Sequence, residues 1–185
     1  MKIYVKNMVS KRCLLYVKGI LKRLDIKPVK VSLGVIVTKE DLSREMLSDL
    51  NSKLKKVDLE LCEKKVDQVV ESIKHVIIDF VYNIENQPNF NISDLLSKKL
   101  GYNYNYLSNI FLKQNSITIQ EYVIRIKIER VKELLMMDEH TLTQISYILQ
   151  YSSCAHLSNQ FKKVTGLPPS HFKEKKSNRK TIQEV

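Results

Sequence analysis

Tyr106-Leu107-Ser108-Asn109-Ile110-Phe111-Leu112-Lys113 and His156-Leu157-Ser158-Asn159-Gln160-Phe161-Lys162-Lys163 are two versions of one segment, fifty residues apart. Both hold Leu-Ser-Asn-x-Phe. Leu107 and Phe111, like Leu157 and Phe161, stand four apart and share one face of a helix. A short apolar helix precedes each copy, with Leu95, Leu96 and Leu100 in the first and Ile145 and Leu149 in the second. Gly101 suits a tight turn within the first pair. A short helix, a turn and a second helix that buries Leu and Phe make the pattern of a helix-turn-helix.

The opposite face of each second helix is left outward. In the first copy it carries Tyr104, Asn105, Ser108 and Asn109; in the second, Cys154, Ala155, His156, Ser158 and Asn159. Short polar side chains on an exposed helical face can enter a major groove and read base edges. Lys113, Lys162 and Lys163, near the helix ends, are placed to meet phosphates. Between the copies, residues 122–135 read as a long amphipathic helix with few breakers. It could hold two reading helices about one turn of duplex DNA apart, in successive major grooves.

Upstream, Val66, Val69, Val70, Ile73, Val76, Ile77, Phe80 and Val81 repeat at helical spacing and predict one helix from about Lys64 to Ile84. The stretch from Asn86 to Asn91, with Pro88, is polar and broken. From Phe161 to Lys180, seven cations (Lys162, Lys163, Lys173, Lys175, Lys176, Arg179 and Lys180) face only Glu174. Residues 175–185 form a basic polar tail.

The segment from Lys64 to Lys173 resembles the AraC-type (arabinose-regulator-like) DNA-binding domain. The likeness rests on the two Leu-Ser-Asn-x-Phe helices and on Tyr122, Arg125, Arg130, Leu134 and Leu135 between them. It is most specific in Phe161-Lys162-Lys163-Val164-Thr165-Gly166-Leu167-Pro168-Pro169-Ser170-His171-Phe172, which is similar to the family ending FKKxxGxxPxxY. Gln150 stands where the family's second turn has Gly, and Val131 where its connecting helix has Ala. The resemblance implies a bacterial transcription regulator. Asn109 and Asn159 occupy places where the family often carries Arg; Asn pairs well with adenine, so A·T-rich half-sites are expected. Further partners are a second copy of the chain and RNA polymerase.

The first 63 residues read as βαββαβ. Ile3-Tyr4-Val5 is a strand, residues 13–24 a helix, and Val29, Val31 and Leu33 a strand that Pro28 opens. Gly34 turns the chain into Val35-Ile36-Val37. Thr38 is the expected cap of a second helix, whose apolar face is Leu42, Met46, Leu47, Leu50 and Leu54. Val57, Leu59 and Leu61 alternate as a last strand. This order suits an antiparallel sheet with two helices on one face. The module resembles a ferredoxin-like, heavy-metal-associated domain. That family reads Met-x-Cys-x-x-Cys after its first strand to grip a soft ion such as copper. Here Met8-Val9-Ser10-Lys11-Arg12-Cys13 has Ser10 in the first thiol's place, and Cys13 alone is a poor site. No metal or other cofactor is therefore expected, and a dimerising or regulatory role is; the alternative is a metal-binding or metal-sensing module to which DNA binding is secondary.

The whole chain is thus expected to be α+β, with a module at 1–63, a helical DNA-binding domain at 64–174 and the tail. A net charge of +11 favours a polyanionic partner. It does not select one half: residues 1–63 carry 14 Lys and Arg against 8 Asp and Glu, and the remainder 17 against 12. Cys13, Cys62 and Cys154 are far apart and odd in number, which speaks against a disulfide framework. There is no Gly-rich phosphate loop, HExxH or nucleophile elbow, which excludes the common enzyme classes. RNA-binding aromatic or GxxG patterns are also missing. With neither a long apolar run nor a signal-type N-terminus, the cytoplasm is the expected location and no membrane partner is expected.

Overall fold

Lys2–Lys6 (β1) alternates along its length, with Ile3 and Val5 buried and Lys2 and Lys6 exposed. In the computed structural model, which describes residues 1–84 and 91–175, this strand is central to a four-stranded antiparallel sheet. Helix α1 (Lys11–Arg23) follows, then β2 (Pro28–Ser32), β3 (Val35–Thr38), α2 (Arg44–Lys55) and β4 (Glu60–Leu61). The strand order is β2-β3-β1-β4. Register pairs Lys2 with Val37, Tyr4 with Val35, and Val5 with Leu61. Val17, Ile20 and Leu21 of α1 and Leu50 and Leu54 of α2 close one core with Ile3, Val5 and Ile36 of the sheet. The chain is α+β, a small antiparallel sheet followed by a helical half.

Two expectations for this module are corrected. Thr38 does not cap α2. It ends β3 opposite Pro28, and its buried hydroxyl donates to the Glu40 carbonyl at 2.6 Å. The cap is Ser43, whose Oγ accepts from Met46 N at 3.2 Å. The later start leaves Met46 on the exposed side and only Leu50 and Leu54 fully buried. The last strand is also shorter than the alternation of Val57, Leu59 and Leu61 implies. Amides of Val57 and Leu59 donate back to the Leu54 carbonyl, and Asp58 turns with φ of 58°. That stretch closes α2, and pairing with β1 begins only at Glu60 and Leu61, followed by the Cys62 amide donating to the Tyr4 carbonyl at 2.9 Å.

Gly34 makes the β2–β3 turn with φ of +66°. The ring of His75 fills the space where a Cβ would stand. The same ring lies 3.1 Å from the Met8 carbonyl oxygen through Nε2, and burial holds its pKa below the usual value. Gly34→Ala therefore meets both a left-handed backbone and a filled site. It should destabilise the protein by about 2–4 kcal/mol, read by urea unfolding. A loss under ~0.5 kcal/mol would mean that the turn and ring relax freely.

Helix α3 (Lys65–Tyr82) continues from this module. The chain divides into compact units Met1–His75 and Val76–Val185, a division that falls inside α3. The second unit holds α4 (Ile92–Leu100), α5 (Tyr104–Asn115), α6 (Ile119–Met137), α7 (Leu142–Ile148), α8 (Cys154–Thr165) and α9 (Pro169–Lys175). The expected break at 86–90 and the tail from 176 onward lie outside the described residues, as do the side chains of 173–175. No helix among the described residues is long and apolar enough to cross a membrane.

Candidate nucleic-acid interface

The sequence repeat is a structural repeat. Asn91 caps α4 by accepting from Ser93 N, and Thr141 caps α7 with Gln144 in a reciprocal capping box. Gly101, with φ of 73°, ends α4. Asn103 then caps α5 by accepting from Asn105 N at 2.8 Å, and Ser153 caps α8 by accepting from His156 N at 3.0 Å. Both second helices are 12 residues long and both end on a left-handed residue, Ser116 and Gly166. The second turn uses Gln150 at φ of 53°, and its Nε2 donates to the Ile84 carbonyl at 3.0 Å. That bond offsets part of the cost of a side chain in this conformation.

Leu107, Phe111, Leu157 and Phe161 have no solvent exposure. The repeat reaches further than its quoted motif. Phe111 packs on Tyr122 of α6 at 5.4 Å between ring centroids, and Phe161 on Phe172 of α9 at 5.5 Å. Leu100, expected in the core, is only half-buried, while Leu95 and Leu96 carry the α4 contact.

The outward residues line up copy for copy. Asn105, Asn109 and Lys113 are exposed on α5, and Tyr104 and Ser108 are half-buried. On α8, Ala155, His156, Asn159, Lys162 and Lys163 are exposed and Cys154 and Ser158 half-buried. Ser158 Oγ donates to the Cys154 carbonyl at 2.9 Å, so its proton is already used within the helix. His156 is oriented before any partner arrives: Nδ1 lies 2.9 Å from Ser152 Oγ, and its ring meets Tyr151 edge-on at 5.4 Å. Burial raises the Tyr151 phenol pKa well above its ordinary value.

Sequence reading missed the aromatic pair Tyr102 and Tyr106, both exposed, with ring centroids 5.3 Å apart at the start of α5. Their i, i+4 spacing was the available signal. It also missed how α6 grips the second pair. Lys127 Nζ donates to the Leu149 carbonyl at the end of α7 at 2.9 Å and sits 5.2 Å from the Tyr151 ring centre. Burial lowers the pKa of this lysine. Deeper in α6, Lys132 Nζ and Glu129 Oε1 are 2.6 Å apart and both residues are buried. Arg130 pairs with Glu133 at 2.7 Å and stacks over Tyr82 at 4.9 Å.

In the first unit, Ser10 and Cys13 are joined by helix capping. Ser10 Oγ accepts from Cys13 N at 3.3 Å and lies 3.1 Å from its Sγ, in the first turn of α1 rather than in a loop. Burial, with the carboxylates of Glu71 and Asp67 behind it, pushes the Cys62 thiol up to about 12. A thiol so disposed is a weak ligand at neutral pH.

Residues 96–175 match the model of a family described as a helix-turn-helix domain. The HTH-type transcriptional regulator YtdP of Bacillus subtilis is 31% identical over 83 residues, which are 45% of this chain and 11% of that protein. The Msm operon regulatory protein of Streptococcus mutans is 30% identical over 83 residues, covering 45% of this chain and 30% of its own length. The chain thus spans less than a third of these curated relatives. Among solved structures, the C-terminal domain of AraT, a response regulator from Geobacillus stearothermophilus, superposes with a TM-score of 0.50 at 19% identity. It covers 60% of this chain and 88% of that one. A Chromobacterium violaceum transcriptional regulator with an AraC-type DNA-binding domain gives 0.50 at 14% identity, over 60% and 96%. These two show a shared fold. With the repeated capped pairs, residues 96–175 match a helix-turn-helix family and share the fold of these two domains.

Proposed function

We propose that the protein is a sequence-specific transcription regulator of the cytoplasm that reads duplex DNA with α5 and α8 in successive major grooves. The observation that carries this reading is the repeat itself. Two helices with identical burial of Leu and Phe present Asn109 and Asn159 outward at equivalent positions, with Asn105 on the first and His156 on the second exposed beside them. Lys113, Lys162 and Lys163 then hold phosphates, and the two Asn at 109 and 159 read adenine N6 and N7 in A·T-rich half-sites. Tyr104, Ser108, Cys154, Ala155 and Ser158 border the groove. Helix α6 links the readers. The first unit, whose strand order β2-β3-β1-β4 supports a ferredoxin-like module, serves dimerisation or regulation. RNA polymerase is the further partner of such a regulator on its operator.

Selection of duplexes from a random pool tests this. Two short A·T-rich blocks about ten base pairs apart should emerge. Asn109→Ala or Asn159→Ala should each weaken the best duplex by roughly 5- to 100-fold and relax preference at one block only. Recovery of G·C-rich blocks would remove the assigned role of the two Asn. Equal binding of all sequences that vanishes with modest salt would leave only charge attraction.

A further inference from the structure

The net charge of the first unit is concentrated on one side of its sequence. Residues 1–39 carry ten Lys and Arg and a single acid, Asp25, whereas residues 40–63 carry seven acids against four cations. Helix α1 is the densest part, with five cations and no acid in 13 residues. Val17, Ile20 and Leu21 take its apolar face into the core. Arg12, Lys18, Lys22 and Arg23 are all exposed on the rest of its surface. Among the described residues, no carboxylate lies within 4.0 Å of any of these four cations.

Local stability does not explain this face. Lys22 and Arg23 sit in the last turn, where the helix dipole favours cations. Lys11 and Arg12 sit in the first turn, where it disfavours them, and that turn holds no acid. Arg12, kept against the dipole with no carboxylate within 4.0 Å among the described residues, points to an external anion.

We propose that the outward face of α1 is a second, sequence-independent contact for duplex DNA, in which Arg12, Lys18, Lys22 and Arg23 bind backbone phosphates. Charge complementarity selects the partner: the face presents cations over about three helical turns, and a duplex presents a phosphate every few ångströms. An anionic membrane is the poorer match. The apolar side of α1 is spent in the core, and only Leu15 and Tyr16 remain exposed among the cations, too little surface to insert into lipid. The inference rests on the reading of α5 and α8 as duplex readers. It adds to them a contact that raises affinity without adding specificity.

The test is a titration of the full chain against its selected duplex at several salt concentrations. Two fourfold variants are compared, R12Q/K18Q/K22Q/R23Q on α1 and R44Q/K53Q/K55Q/K56Q, which removes the same charge from the acid-balanced part. The α1 variant should lower the slope of log affinity against log salt by about 3 to 4, and weaken low-salt binding at least about tenfold. The second should change the slope by less than about 1, and neither should alter base preference. Equal effects of the two variants, or no effect of the first, overturn the proposal. So does binding of the wild-type chain to phosphatidylserine vesicles that the α1 variant loses while its DNA slope is unchanged. If the fourfold variant does not fold by circular dichroism, K18Q/K22Q should give a slope change of about 2. Failure of the reader assignment is separate: Asn109→Ala and Asn159→Ala would then leave base preference intact, whatever α1 does.

Discussion

Lys132→Met should lower the free energy of unfolding by about 3–5 kcal/mol, although methionine is a good helix former and nearly fills the same space. The reason is what it leaves behind. Glu129 and Lys132 are 3% and 6% exposed, and their Oε1 and Nζ are 2.6 Å apart. Among the described residues Glu129 Oε2 has no hydrogen-bond partner, so the lysine is the main compensation for that carboxylate. Lys132 also lies 5.8 Å from the ring centre of Phe172 and helps to hold α9. The double variant Glu129→Leu with Lys132→Met should recover most of the loss, because a buried pair repays little more than its own desolvation. A double-mutant cycle from urea unfolding, followed by circular dichroism, separates these terms. If each single variant costs less than about 1 kcal/mol, the pair is hydrated and the helix turns more freely than its burial implies.

That pair also shows where sequence reading stops. A Glu and a Lys three apart on a helix are the ordinary mark of a solvated face. Nothing in residues 119–137 says that α6 is covered on most sides, by α5, α7, α8 and α9 at once. Periodicity reports which residues share a face, and it is silent on how many faces are buried. Helices α5 and α8 were legible for the opposite reason. Leu107 with Phe111 and Leu157 with Phe161 repeat a local pattern, and Gly101 is a local turn signal that needs no tertiary partner. The AraC likeness was carried by the same residues. Thr38 and Ser43 both carry a hydroxyl that can cap a helix; the β3 ladder claims the first, and only the fold reveals that. The short β4 has the same origin, since the end of α2 takes residues the alternation assigned to a strand. His156 was legible as an outward residue, but its contacts with Ser152 and Tyr151 were not, because they depend on the turn geometry before α8.

Phe161→Ala should cost about 3–5 kcal/mol, and more of the interface than its counterpart Phe111→Ala. Both rings are fully buried and both lie against an aromatic partner. The partners differ. Tyr122 belongs to α6, a 19-residue helix held by Ile126, Ile128 and Val131 whether or not Phe111 is present. Phe172 belongs to α9, seven residues long, for which the Phe161 ring at 5.5 Å and 73° is a principal anchor. Removing Phe161 thus opens a cavity and releases α9, and α8 loses the support that orients Asn159. Phe111→Ala leaves α6 in place and should let the cavity close in part, toward the lower end of the range. On the proposed function, Phe161→Ala abolishes preference at the second block of the selected duplex and keeps the first. Phe111→Ala weakens the first block and leaves the second readable. Phe161→Leu, which keeps most of the volume, should lose no more than about 1.5 kcal/mol and retain both blocks. Equal stability loss for the two Ala variants, with loss of both blocks in each, would mean that the two pairs do not stand separately and that the domain reads DNA as one unit.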